Sequence, residues 1–93
     1  MGKRARPKPK RLAEKLFRIR EALGVSQGEI FRRLDVEEFS EVKRISDYET
    51  DKSEPPLPVL LQYARIAGVC VDMLIDDELD LPAKLPAKPK HKV

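Results

Sequence analysis

The stretch Ala22–Glu49, ALGVSQGEIFRRLDVEEFSEVKRISDYE, decides the reading of this chain. Its spacing predicts two short helices joined by a turn. Ser26 is a small polar residue able to accept a hydrogen bond from a free N–H of a first helical turn. Glu29 follows three residues later and completes a capping box. Gly24, just before, suits the left-handed residue that ends a preceding helix. Ile30, Phe31 and Leu34 then put one apolar face on the first of the two helices. The second is expected to open near Ser40, to span about Glu41 to Tyr48, and to bury Val42, Ile45 and Tyr48. Glu41, Lys43, Arg44, Ser46 and Asp47 lie between those apolar positions. A thin apolar stripe with a wide polar face has something to touch besides its own core.

Outward from this stretch, Leu12, Leu16, Ile19 and Leu23 form one stripe over residues 11–23, with Phe17 at its edge. C-terminal to it, Thr50 to Ser53 read as a loop, and Glu54-Pro55-Pro56-Leu57-Pro58 is a stiff entry to the next helix. That helix covers 58–67, with Leu60, Leu61, Ala64 and Ile66 on the core side and Gly68 as its stop. A last helix is expected over Val69–Ile75, with Val71, Leu74 and Ile75 apolar. Cys70 lies at the start of that helix, and a thiol is a weak hydrogen-bond partner. Phe39 is expected to plug the turn onto the core. Tyr48 and Tyr63 are most simply core.

The chain has 93 residues and one expected domain over residues 11–80. It is flanked by a basic arm, MGKRARPKPK, and by a Pro- and Lys-rich tail from Leu81 to Val93. The arm has three readings: a solubilising tail, a segment lying along nucleic-acid phosphates or in a minor groove, or a contact to an anionic membrane surface. With Arg11, the two ends hold 10 of the 19 basic residues and no acid. All 16 acids therefore lie in residues 12–80 against 9 bases, a balance of −7. Five of those acids, Asp72, Asp76, Asp77, Glu78 and Asp80, cluster late; without them the balance is −2. The tail is expected to fold back on that cluster.

One cysteine, Cys70, cannot form an internal disulfide, so a reducing, cytoplasmic setting is expected. Its thiol reads either as a redox sensor or as a small half-buried residue. No apolar run follows the basic N-terminus, as a signal peptide would require, and none is long enough to span a membrane. There is no Gly-rich phosphate loop and no metal-ligand spacing, and His91 is the only histidine. Neither an enzyme nor a cofactor is expected.

ALGVSQGEI, then RISDYE, then PPLPVLLQYARIAGVCVDML follow in an order that resembles the Xre family, the phage Cro and repressor type of helix-turn-helix. The resemblance covers roughly Arg11 to Leu79. It implies an all-α, compact five-helix bundle and sequence-specific binding in the major groove of double-stranded DNA, as a homodimer on two-fold half-sites. It implies that Gln27 contacts a phosphate, which a helix N-terminus suits physically. It places Val42, Lys43 and Asp47 at base-contacting positions and Arg44 and Ser46 toward the flanking backbone. Thr50 and Lys52 match phosphate positions, and Arg20 matches an Arg that pairs with the Glu ending the recognition helix, here Glu49. The chain departs from the family in its turn. Asp35 and Asp51 stand where Gly is usual, and DVEEFS adds about four residues, three of them acids (Asp35, Glu37, Glu38). The resemblance points to a transcriptional regulator. The acidic balance and the longer turn favour a rival, a protein-interaction module or antitoxin-like adaptor on the same fold.

Overall fold

A computed structural model describes residues 9–86. Five helices follow one another: α1 (Leu12–Leu23), α2 (Gln27–Leu34), α3 (Lys43–Glu49), α4 (Leu57–Ala67) and α5 (Val71–Ile75). There is no strand among the described residues. The arrangement is an all-helical bundle in which α1 packs on α3, α4 and α5, while α4 also packs on α2 and α5.

The core is one cluster built from every helix. Leu12, Leu16 and Ile19 of α1 meet Ile30 and Leu34 of α2, Ile45 and Tyr48 of α3, and Val59, Tyr63 and Ala67 of α4, with Leu74 closing the end. The stops are local. Gly24 and Gly68 take left-handed backbone at φ 70° and 78°, and each returns its N–H to two carbonyls of the preceding helix. Ser26 accepts from the Glu29 N–H and starts α2. Cys70 precedes α5 and makes no side-chain cap bond.

Several expected positions move. In α4, Leu60, Tyr63 and Ala64 are buried as expected, but Val59 and Ala67 complete the core stripe, while Leu61 is exposed and Ile66 half-buried. The last helix starts at Val71 and buries Leu74 alone, with Ile75 outside. Phe17 is exposed at the edge of α1, where the Arg20 guanidinium lies 5.5 Å from its ring centroid. Cys70 is exposed.

The turn between α2 and α3 is where expectation and structure differ most. Asp35 ends α2 in left-handed backbone, φ 56°, which Asp tolerates better than most residues. Val36 then drops into the core, and its carbonyl accepts from the amides of Phe39 (2.8 Å) and Ser40 (3.0 Å). Phe39 therefore rides on top of this extra turn and is 49% exposed, while Val36 is the plug. Ser40 lies 2.7 Å from the buried Tyr48 hydroxyl, so it still belongs to the turn. α3 begins only at Lys43, after two short-range bonds, Arg44 N–H to Glu41 and Ile45 N–H to Val42. Val42, expected in the core, stands outside at 47% exposure.

Two long-range contacts tie the chain ends together. The Asp77 carboxylate accepts from the amides of Lys10 (2.9 Å) and Arg11 (3.0 Å), and so caps the start of α1 from 66 residues away. Lys15 is 1% exposed. Its ammonium gives its three hydrogens to the carbonyls of Met73 (2.7 Å), Asp76 (3.0 Å) and Leu79 (2.7 Å). Leu81 and Leu85 lie against the core, so the stretch expected as a tail is docked through Leu85. Most of the basic arm and the rest of that tail, with its expected contact to the acids, fall outside the described residues. Arg11 instead serves the acids, with an ion pair to Asp80 at 2.7 Å.

Candidate nucleic-acid interface

Seven residues make α3, and the 3.6-residue repeat divides it and its flanks into three faces. Ile45 and Tyr48 point into the bundle. Glu41, Arg44 and Tyr48 border a groove beneath the extra turn. Lys43, Ser46, Asp47 and Thr50 fall at i, i+3, i+4 and i+7, which is the remaining, outward face. The Lys43 side chain is 76% exposed and that of Arg44 51%. Their partners are near and weak: Glu41 for Lys43 at 3.5 Å, Asp47 for Arg44 at 3.4 Å. Exposed pairs of this kind hold by about 0.2–1 kcal/mol, so both cations are available to another anion.

The loop after α3 extends that face. Asp51 takes left-handed backbone, φ 66°. The Thr50 hydroxyl donates to Ser46 (2.8 Å), and the Lys52 amide returns to Asp47 (2.8 Å). The loop is thus folded tightly on the end of α3, with Thr50 and Lys52 both exposed.

Behind this face lies a polar knot. Arg20 Nε donates to Glu49 Oε2 (2.7 Å), Nη2 to Oε1 (3.1 Å), and Nη1 to the Val25 carbonyl (3.0 Å). Gln27 Nε2 donates to the same Glu49 Oε1 (3.2 Å). The Glu49 side chain is only 4% exposed. The hydrogen bond to Glu49 raises the Arg20 guanidinium above its ordinary value, against the opposing effect of burial. Tyr63 sits nearby with its hydroxyl buried and without a hydrogen-bond partner; burial first, and Glu49 second, push its pKa up. The knot locks the end of α1, the start of α2 and the end of α3 together. Gln27 is held at the opening of α2, where the first N–H groups have no intrahelical acceptor.

The predicted site residues thus fall into two groups. Lys43, Ser46, Asp47, Thr50 and Lys52 share the outward face, with Val42 at its edge and Arg44 turned toward the groove. Gln27, Arg20 and Glu49 form the knot behind it. Lys15 and Asp77 escaped the sequence reading. Lys15 lies beside Leu16 on the α1 stripe and reads as an ordinary solvated lysine, and only the three carbonyls around it show otherwise.

Charge on this side is mixed. On α2, Glu29 is paired with both Arg32 and Arg33, whose hydrogen bonds, Arg32 first, hold its carboxyl below the ordinary range. Among the described residues no helix is long and apolar enough to cross a membrane. Against known proteins, no family model, no curated protein and no solved structure matches this chain.

Proposed function

We propose that this chain is a sequence-specific DNA-binding regulator in which α2 and α3 act as a helix-turn-helix, as the resemblance to the Xre family suggests. The observation that carries the reading is the outward face of α3, where Lys43, Ser46 and Thr50 are exposed and Asp47 is half-buried, beside the opening of α2. In this reading Lys43 donates to the acceptor edge of guanine and Asp47 accepts from a cytosine amino group. Gln27, Arg44, Thr50 and Lys52 hold the phosphates and set register. Val42, half-exposed at the edge, is placed to meet a thymine methyl. Two copies bind a two-fold symmetric site.

The test is a titration of the full chain with random-sequence duplex at several salt concentrations, followed by selection from a random pool. DNA binding predicts a steep fall of affinity with salt and one enriched sequence. Lys43→Ala should relax the sequence preference by about 1–3 kcal/mol at one position, while Gln27→Ala should weaken all sequences alike. A chain that ignores every duplex at low salt has another role.

A further inference from the structure

The extra turn does more than lengthen the connection: it builds one wall of an open groove of about 570 Å³ on the flank of α3. Phe39, Tyr48 and Pro56 give it an apolar lining, and Glu37, Glu38 and Glu41 stand around it. Phe39, which lines the groove, is 49% exposed. Neither the Glu37 nor the Glu38 carboxylate has a hydrogen-bond or ion-pair partner among the described residues. Ser53 also lines the groove, and its hydroxyl is buried with no hydrogen-bond partner. Among the described residues, Arg44 is the only cation bordering it, and it is already turned to Asp47.

We infer that this groove is a docking site for an extended, arginine-bearing segment of a partner polypeptide. A planar guanidinium can lie over the Phe39 ring, within about 6 Å of its centroid, and present its N–H fork to the Glu37 and Glu38 carboxylates. Neither half of the site suffices alone, because exposed ion pairs are weak and an aromatic face without anions does not select charge. Duplex phosphates are repelled from the same acids. The groove therefore serves a ligand opposite in charge to the one proposed for the outward face, and it stands whether or not the chain binds duplex.

The full chain should bind the labelled octapeptide GRARPARG saturably, and its citrulline counterpart about tenfold more weakly or not at all. Glu37→Gln with Glu38→Gln, and separately Phe39→Ser, should each weaken the arginine peptide about 5- to 10-fold with the melting temperature unchanged. Since all three positions are exposed, loss of binding with an intact melting transition reads the groove and not the fold. Equal affinity for the two peptides, or affinity untouched by these substitutions, would overturn the proposal. So would concentration-dependent self-association abolished by the same substitutions, since it would assign the groove to the basic arm of a second copy.

Discussion

Gly28 stands in the first turn of α2, and a Cβ built there meets nothing closer than the Ser26 hydroxyl at 4.0 Å. The fold itself does not require glycine at this point. Alanine should stabilise the free chain by about 0.5–1 kcal/mol, because glycine loses more backbone freedom on entering a helix. If a phosphate approaches the opening of α2, the added methyl obstructs it. Gly28→Ala is therefore expected to raise the melting temperature and weaken duplex binding together, read by thermal denaturation and titration of one preparation. Glu49 gives the opposite pattern. Glu49→Ala strands the Arg20 guanidinium and frees Gln27, at a cost on the order of 3 kcal/mol. Replacing both partners, as Arg20→Met with Glu49→Leu, should recover much of that stability, since a partly buried pair gains little over apolar side chains of similar size. Duplex affinity should not recover, because Gln27 has then lost its anchor.

The connection from α2 to α3 owes its place to Val36, not to Phe39. Val36 is 1% exposed, and its carbonyl gathers the amides of Phe39 and Ser40. Val36→Ala should cost about 2 kcal/mol from lost burial and a residual cavity. Phe39→Ser should change stability by less than about 0.5 kcal/mol, as exposed substitutions usually do. Denaturant midpoints of the two variants make the comparison, and a larger loss from Phe39→Ser would reverse the assignment. The turn also shortens α3. Ser40 is held by Tyr48, so α3 starts without a side-chain cap and rests on packing by Ile45 and Tyr48. A seven-residue helix without a cap has little stability of its own.

Across the molecule, the ends close on each other through Asp77, Asp80, Arg11 and Lys15. The amides of Lys10 and then Arg11 hold the Asp77 carboxyl below its ordinary range, and the Arg11 guanidinium does the same for Asp80. A depressed carboxyl contributes stability above its unfolded pKa and loses it as pH falls through its folded value. The chain should therefore lose melting temperature as pH drops below about 4. Asp77→Asn with Asp80→Asn should flatten that acid limb without abolishing it, because Glu29 is lowered as well. Lys15 is the other half of the closure. Burial lowers its pKa first, and Arg11 adds to that, yet three carbonyls engage the ammonium. Lys15→Met would leave those carbonyls without their donor, at about 2–3 kcal/mol by calorimetry.

Local chemistry was legible in the sequence. Gly24, Ser26 and Gly68 set helix ends with atoms a few residues away, and apolar spacing placed the core of α1 and α2; the expected capping box is only half formed, since the Glu29 carboxylate turns to Arg32 and Arg33. The left-handed Asp51 and the core tyrosines could be read the same way, since each needs only its neighbours or its hydrophobicity. What required the folded chain were choices between residues of equal local merit. Val36 and Phe39 are both apolar and three apart, and only the space beneath the turn selects the smaller one. Lys15 and Asp77 carry no local signal, because their partners lie 58 or more residues away. Periodicity can name an apolar stripe, but which residue fills a given hole, and which charge is buried, depends on surfaces that exist only after the helices have met.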